Sequence, residues 1–343
     1  MAKMLSSSAA APFLSRSFWA WAALALALVA LPSIAQALGQ PFYISLASRI
    51  LIFGLAAMSL DLILGYGGMV CFGHAAFVGI GAYVVGILSH HAAEDSLLLG
   101  LFPGTASGWI AWPLAMLVAA VAAFLIGLVS LRTKGVAFIM ITLAFAQMIY
   151  FFFVSLRTYG GDDGLSLGGR SSFTSLISLR DKATFYYIAL GVLALVYVLL
   201  RRLTRSRFGM VLRGAKDNER RMVHLGFPIV RYKLAAFTLA GGLAGLAGAL
   251  LVNQGNFVSP QMLHWTRSGE IIVMVVLGGM GSLGGPVLGA AVFLLLEEIL
   301  SSYTEHWQIF LGPILLLVVL FARQGLMGAL VAAARRLSGR ASA

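Results

Sequence analysis

Ten apolar segments follow one another through this chain of 343 residues, and most are long enough to form a membrane-crossing helix. An α-helix needs about twenty apolar residues to cross the hydrocarbon core of a bilayer, and none of these segments alternates as a barrel strand does. The sequence therefore predicts an all-α, polytopic integral membrane protein in a lipid bilayer, with about ten transmembrane helices. The segments lie at about 18–38, 43–65, 69–89, 109–131, 135–156, 184–200, 234–252, 268–281, 285–300 and 307–322.

The composition excludes other classes of protein. Hydrophobic residues make up 60% of the chain and charged residues 10%, whereas soluble domains carry about a quarter charged residues. The net charge of +12 does not indicate nucleic-acid binding, because the basic residues cluster at the ends of the apolar segments, as membrane topology requires. The single cysteine, Cys71, excludes an intramolecular disulfide and a multi-cysteine metal site.

A basic stretch, residues 201–233, holds ten of the 24 Lys and Arg residues and lies between two apolar segments. Such a stretch cannot lie in hydrocarbon, and positively charged loops remain in the cytoplasm. Within it, residues 214–226 are predicted to form a short helix that ends at Gly226 and is followed by Pro228. A structured basic helix on the cytoplasmic side predicts a docking site for a partner.

The distribution of charge also sets the topology. If the N-terminus is cytoplasmic and the chain crosses ten times, eighteen of the 24 Lys and Arg residues lie on the cytoplasmic side. The other side keeps six, which are Arg49, Arg157, Arg170, Arg180, Lys182 and Arg267. Nine crossings would move the basic tail, residues 323–343, to the other side and worsen the asymmetry. We therefore predict that residues 1–343 form a single membrane domain, with helices between residues 18 and 322 and both termini in the cytoplasm.

The first apolar segment allows two interpretations. Ala35-Gln36-Ala37 resembles a signal-peptidase site, but the apolar character continues to about Leu38, which favours an uncleaved first helix. Cleavage would leave the rest of the topology unchanged.

Two glycine-rich interruptions lie near opposite ends of the chain, at residues 65–83 and 277–292. Glycine lets helices break or pack closely, and paired breaks in the two halves of a membrane protein indicate a substrate path. Close helix packing alone is the alternative. The segments 268–281 and 285–300 are either two short crossings or one broken, re-entrant helix. The glycines proposed for the path are Gly73, Gly79, Gly278, Gly279 and Gly281.

A further glycine pattern, in residues 241–251, indicates helix packing. Gly241 and Gly245, and again Ala244 and Gly248, are four residues apart, which predicts a flat face for a neighbouring helix.

Asp61 and His74 flank the first glycine-rich interruption, within or near the membrane. Ionisable groups buried in a bilayer are costly and usually face a cavity or a partner, so both are candidates for the substrate path. An Asp61–His74 pair and a position at a helix end or at the interface remain alternatives. Gln147, on a long apolar segment, either lines the path or forms a helix–helix hydrogen bond. Glu270 is predicted to lie near the outer interface, with Arg267 as its partner.

The sequence predicts no catalytic residue, no metal site and no cofactor. The six histidines form no HExxH motif, and no nucleophile and base are clustered. No lysine directly follows a glycine, so a GxxxxGK[ST] phosphate-binding loop is impossible. If the chain takes part in ATP-driven transport, another polypeptide must bind the ATP.

Several motifs, taken in order, resemble one family. Residues 65–83 read GYGGMVCFGHAAFVGIGAY, 131–147 read LRTKGVAFIMITLAFAQ, 159–165 read YGGDDGL, 206–250 read SRFGMVLRGAKDNERRMVHLGFPIVRYKLAAFTLAGGLAGLAGAL, and 275–290 read VVLGGMGSLGGPVLGA. Together they cover most of residues 65–298 and resemble the branched-chain amino-acid ABC transporter permeases. The length and the basic tail resemble the M-type permease of the high-affinity importer rather than the shorter H-type.

The resemblance implies an assembly in the bacterial inner membrane. It would contain a homologous second permease subunit, two cytoplasmic ATP-binding subunits and a periplasmic solute-binding protein. Ala215, Glu219, Leu225 and Gly226 match the family's helix that docks into an ATPase, which implies ATPase coupling by residues 201–233. Arg220 and Arg221 can pair with acidic groups on that partner, although exposed ion pairs contribute little individually.

The sequence also departs from the family's pattern. Cys71 stands where many relatives have Ser, and Val136-Ala137-Phe138 replaces the usual Asp-Tyr-Phe. The resemblance therefore implies branched-chain or related hydrophobic amino acids as the solute, with urea, short amides or aromatic acids as alternatives. A rival of another class is an ion-coupled transporter in which Asp61 and His74 form a proton relay.

Overall fold

The computed structural model describes residues 16–37, 39–98, 102–173, 179, 181–304, 306, 309–313 and 325–329. Residues 1–44 and residues 45–343 form two compact units. The first unit contains helix α1 (Arg16–Ala37). Most of the predicted segment 307–322 and most of the basic tail, residues 323–343, lie outside the described residues.

Helices dominate the described chain, which confirms the predicted all-α, polytopic class. Seven spans in the described ranges are long and apolar enough to cross a membrane. They are α2 with the π-helical turn that extends it, α3, α4, α5, α6, α9 and α11. The helices after α1 are α2 (Phe42–Asp61), α3 (His74–Ala93), α4 (Gly108–Ser130), α5 (Val136–Ser155), α6 (Lys182–Arg205), α7 (Arg207–Asp217), α8 (Glu219–His224), α9 (Ile229–Gly255), α10 (Trp265–Gly278) and α11 (Gly285–Tyr303).

The number of crossings stays a prediction. Helix α10 has only 14 residues, which is too short to cross a bilayer alone. The break between α10 and α11 lies where the sequence analysis placed the interruption between the segments 268–281 and 285–300.

One predicted segment, residues 69–89, begins too early. The chain leaves helical geometry after Tyr66, and α3 begins only at His74. Met69 and Cys71 are buried although they lie outside a helix. Hydropathy alone therefore could not separate this stretch from the helix that follows it, because both are apolar.

Two pairs of short antiparallel strands, absent from the sequence prediction, connect loops between the helices. β1 (Leu97–Leu98) pairs with β2 (Phe102–Pro103), and β3 (Leu165–Ser166) pairs with β4 (Phe257–Val258). The second pair joins the loop after α5 to the end of α9.

Helix α9 is central to the second unit, because it packs closely against both α3 and α4. A Cβ atom at Gly241 or Gly245 would overlap an alanine methyl group of α4. A Cβ atom at Gly248 would overlap the carbonyl oxygen of Val78 on α3. The predicted flat face of small residues is thus confirmed, since it lets three helices approach at backbone distance.

The helices differ in how much of their apolar surface the chain itself covers. Within the most apolar 18 residues of each span, 83% of the residues are buried in α2 and its extension, and 72% are buried in α3 and in α9. In α5 the buried share is 17%. Leu117, Phe151 and Leu195, on α4, α5 and α6, are examples of large exposed apolar side chains. Such surfaces at membrane depth contact lipid or another membrane subunit.

We predict opposite effects for the same substitution at two helical glycines. Gly248→Ala should destabilise the protein by about 1–3 kcal/mol, because its methyl group has no space against α3. Gly191→Ala, on the exposed side of α6 with nothing nearby, should stabilise it by up to about 1 kcal/mol through helix propensity. Thermal unfolding in detergent measures both, and equal melting temperatures for the two variants would contradict the packing described.

Candidate functional site

The first glycine-rich interruption lies at the end of α2. The helix continues through a π-helical turn, Leu62–Tyr66, and then stops. Single π-helical turns are rare and frequently mark functional sites. Asp61, the last residue of α2, is fully buried, and its Oδ1 accepts a hydrogen bond from the Gly281 amide at 2.8 Å. Among the residues that the structure describes, none donates a hydrogen bond to its Oδ2.

The second interruption therefore meets the first. Between α10 and α11 the backbone has positive φ at Gly279 (114°) and at Gly281 (77°), conformations that favour glycine. A Cβ atom at Gly65 would overlap both the Asp61 carboxylate and the Gly281 nitrogen, and one at Gly278 would overlap the Gly285 carbonyl. The structure brings these predicted path residues together at one place.

His74 lies elsewhere, at the start of α3. It is fully buried, its Nε2 is 2.8 Å from Ser59 Oγ, and its ring meets Phe77 edge to face. An Asp61–His74 pair is therefore wrong, because each side chain binds a different partner. Both residues lie at helix ends, as expected, and the interfacial position stays a prediction.

The other residues predicted for the substrate path do not take part in the contact between Asp61 and Gly281. A Cβ atom at Gly73 would approach the Thr142 carbonyl oxygen, and one at Gly79 would overlap the Leu263 side chain. For these two glycines the structure favours the packing alternative. Gln147 is half-buried on α5, and its role stays a prediction.

The basic loop contains two helices rather than one. Helix α7 ends at Asp217 and α8 begins at Glu219, so the single helix predicted for residues 214–226 is wrong. Asn218 has an extended backbone, and its Oδ1 accepts a hydrogen bond from the Arg221 amide. Asparagine favours such capping over a helix interior, which explains the break. Gly226, with φ of 85°, ends the loop helix as predicted.

A small apolar core holds the two loop helices against α9. Val211, Ala215 and Ile229 are buried there, and Met222 and Tyr232 pack against them. Ala215 is thus an internal contact of the loop. The predicted coupling residues Arg220, Arg221, Leu225 and Gly226 are all exposed.

Glu219 fixes the loop to two other elements. Its carboxylate oxygens lie 2.9 Å from Lys134 Nζ, just before α5, and 3.0 Å from Lys233 Nζ on α9. Burial alone would raise the pKa of the Glu219 carboxyl, but the bonds from Lys134 and Lys233 outweigh it and hold that pKa below its usual range. The carboxylate is therefore an internal anchor of the loop.

The basic loop and the start of α9 expose several large apolar side chains, which we call the loop patch. Its members are Met210, Val223, Leu225, Phe227 and Val230, all more than a third exposed. The loop is too basic to lie in hydrocarbon, so these side chains face water unless a partner covers them. Several large apolar residues exposed to water in one segment indicate a protein interface.

Helix α7 also contacts the first interruption directly. Lys216 Nζ donates a hydrogen bond to the Gly65 carbonyl at 2.6 Å, and the Arg213 guanidinium lies 5.1 Å from the centre of the Tyr66 ring. Sequence reasoning missed both residues, because nothing distinguishes them from the other cations of the loop. Lys216, Gly65, Asp61 and Gly281 thus connect the loop to the break between α10 and α11.

Comparisons with known proteins identify a family of related chains. A family model described as branched-chain amino acid transport system / permease component matches residues 42–320. The high-affinity branched-chain amino acid transport system permease protein LivM of Salmonella typhimurium is 29% identical over 88% of this chain and 74% of its own length. The corresponding LivH protein of the same organism is 25% identical over 80% and 91%. A probable branched-chain amino acid transport permease protein LivM of Methanocaldococcus jannaschii is 24% identical over 81% and 89%. No solved structure matches the chain.

The Glu219 anchor predicts a pH dependence. The pKa of the Glu219 carboxyl is lower in the folded loop than in the unfolded chain. The carboxylate therefore stabilises the loop fully above the ordinary glutamate pKa of 4.5, and this stabilisation is lost as the pH falls through the lower, folded-state pKa. Glu219→Gln should abolish this dependence and increase hydrogen exchange of the α8 amides at neutral pH. Asp217→Asn, an exposed carboxylate in the same loop, is the matched control. Unchanged α8 exchange in Glu219→Gln would contradict the anchoring role.

Proposed function

The chain belongs to the family of branched-chain amino acid transport system permease components, and we propose that it is the membrane-spanning subunit of an ATP-driven importer. Its solute is a branched-chain or related hydrophobic amino acid, moved into the cytoplasm. The importer also contains a homologous second permease subunit, two cytoplasmic ATP-binding subunits and a periplasmic solute-binding protein. It lies in the bacterial inner membrane, with both termini of this chain in the cytoplasm.

The connection between the loop and the paired breaks is the observation that carries this proposal. The loop patch offers an apolar docking surface, and α7 behind it reaches the π-helical turn through Lys216 and Arg213. A partner that closes on the loop therefore displaces the turn that ends α2. Asp61 passes that displacement to Gly281, because the two are hydrogen-bonded.

ATP must act from outside this chain. The sequence contains no GxxxxGK[ST] loop, so the phosphates of ATP bind to another subunit. The exposed cations Arg220 and Arg221 flank the loop patch and suit an acidic rim on that subunit. The present chain is therefore a transport subunit, and the ATP-binding subunits catalyse the hydrolysis of ATP.

The geometry disfavours a proton relay through Asp61 and His74. A relay needs a chain of hydrogen bonds between the two groups, whereas Asp61 binds a backbone amide and His74 binds Ser59. An ion-coupled transporter would also have no need of a loop patch. Urea, short amides and aromatic acids are the alternative solutes that the family resemblance implies.

Reconstitution tests the function. The full chain, purified with its native partners, should retain ATP-binding subunits, and uptake of L-leucine into proteoliposomes should stop when ATP is depleted. Leu225→Glu should lose the ATP-binding subunits and the uptake of L-leucine, because burying an unpaired carboxylate in an apolar interface is strongly unfavourable. Leu225→Met keeps the apolar surface and should retain the subunits and the uptake. Uptake that survives ATP depletion and stops with the proton gradient would overturn the proposal.

The coupling contact gives a separate prediction. Lys216→Met removes the donor to Gly65 and should lower solute imported per ATP by about tenfold, because charge-assisted hydrogen bonds contribute about 1.5–3 kcal/mol. Binding of the ATP-binding subunits should remain, since Lys216 lies outside the loop patch. Arg202→Met, an exposed cation at the end of α6, is the control. Unchanged stoichiometry in Lys216→Met would show that α7 transmits no displacement through this bond.

A further inference from the structure

A cavity of about 590 Å³ lies within the second unit, apart from the loop and the paired breaks. Its walls come from α2, α3, α9 and α10, together with the chain around the start of α6. Cavities of about 300–1,000 Å³ are typical of small-molecule sites. Nothing in the proposed coupling mechanism accounts for this space.

Cations form the rim of the cavity. Arg49, Arg170, Lys182 and Arg267 all line it. The predicted topology places only six Lys and Arg residues on the outer side, and these are four of them. Because basic residues are disfavoured on that side of a membrane protein, their convergence on one cavity indicates a bound anion.

Carboxylates act on three of these cations, and none of the three carboxylates lines the cavity. Glu297 lies 3.1 Å from Arg49 Nη2, and Glu270 lies 2.7 Å from Arg267 Nη1, as predicted from the sequence. Asp181 acts electrostatically on Arg170. No carboxylate of the described chain lines the cavity itself. The cavity surface is thus positive while its surroundings are close to neutral, which suits a singly charged group better than a multiply charged anion.

Aromatic rings fix two of the guanidinium groups. The Arg49 guanidinium lies 5.7 Å from the centre of the Phe53 ring, and that of Arg170 lies 5.6 Å from the Phe185 ring. Arg170 also donates hydrogen bonds to the carbonyls of Leu179 and Gln254. Cations held in this way are oriented before a ligand arrives, which reduces the entropy lost on binding.

The floor of the cavity is apolar. Phe53, Val78 and Phe185 are buried there and provide a surface for an apolar side chain.

The position of the cavity argues against a lipid as its occupant. Its lining comes largely from α2, α3 and α9, the spans that the chain itself covers most completely. The exposed helices α4 and α5 contribute no residue to it, and α6 contributes only Lys182 and the buried Phe185, both in its first turn. A ligand therefore arrives from the aqueous side.

We propose that this cavity receives the solute at the outer side, with the α-carboxylate on the cationic rim and the apolar side chain on the Phe53–Phe185 floor. The assignment rests on the proposed function and names the class of substrate: a small, apolar amino acid whose free carboxylate is required. Short amides and urea, which lack the carboxylate, are excluded from this site.

Direct binding tests the assignment. The full chain, purified with its native partners but without the solute-binding protein or nucleotide, is titrated with isovalerate, isovaleramide and L-leucine. Isovalerate and isovaleramide have nearly the same shape and differ in charge. Isovalerate and L-leucine should bind, and isovaleramide should bind about tenfold more weakly or not at all.

Variants locate the binding. The double variant Lys182→Gln with Arg267→Gln should weaken isovalerate binding by about tenfold or more, whereas Arg157→Gln, an outer cation away from the cavity, should not. Lys182 is exposed at the helix start, so Lys182→Gln alone serves if the double variant does not fold. Equal affinity for acid and amide, or unchanged affinity in the Lys182 variant, would overturn the assignment. Displacement by phosphatidylglycerol but not by L-leucine would assign the cavity to lipid instead.

The two proposals fail in different ways. Uptake without ATP would overturn the proposal of an ATP-driven importer, but the cavity could still bind isovalerate more tightly than isovaleramide. Equal binding of isovalerate and isovaleramide would overturn the assignment of the cavity, but uptake could still depend on ATP.

Discussion

The hydrogen bond from the Gly281 amide to Asp61 stabilises the place where two helices of the bundle are broken. Backbone groups left without partners in apolar surroundings cost several kcal/mol each, so a break survives only where something satisfies them. Here the partners are side chains from distant parts of the sequence. Asp61 accepts from the exposed backbone of the second break, and Lys216 donates to the Gly65 carbonyl in the first. The breaks therefore depend on each other and on the basic loop.

Close packing around α9 gives this arrangement a rigid support. Helices α3, α4 and α9 meet largely at glycine and alanine residues, where backbone atoms are in close contact and leave little space for displacement. The breaks, by contrast, contain a π-helical turn and glycines with positive φ, whose geometry depends on a few hydrogen bonds. The breaks therefore have fewer packing contacts to oppose a displacement than the helices around α9.

The sequence predicted features that depend on local chemistry and missed those that depend on distant pairing. Segment lengths and hydropathy identified the helical spans, glycine clusters identified both breaks, and Gly226 identified the end of the loop helix. The break at Asn218 was missed because a capping asparagine and a helical asparagine look alike in a basic stretch. The partners of Asp61 and Lys216 lie 220 and 151 residues away in sequence, and no periodicity records such contacts. The convergence of Arg49, Arg170, Lys182 and Arg267 on one cavity was missed for the same reason.

The two ion pairs of Glu219 connect the loop to two helices that differ in burial. One lysine precedes α5, of which few residues are buried, and the other belongs to α9, at the centre of the packed helices. The Lys134 side chain is 73% exposed and that of Lys233 is 15% exposed, so water weakens the first pair far more than the second. The loop is therefore held firmly to α9 and only loosely to α5, and the surface that α5 offers to lipid or to a neighbouring subunit need not follow the loop when it moves.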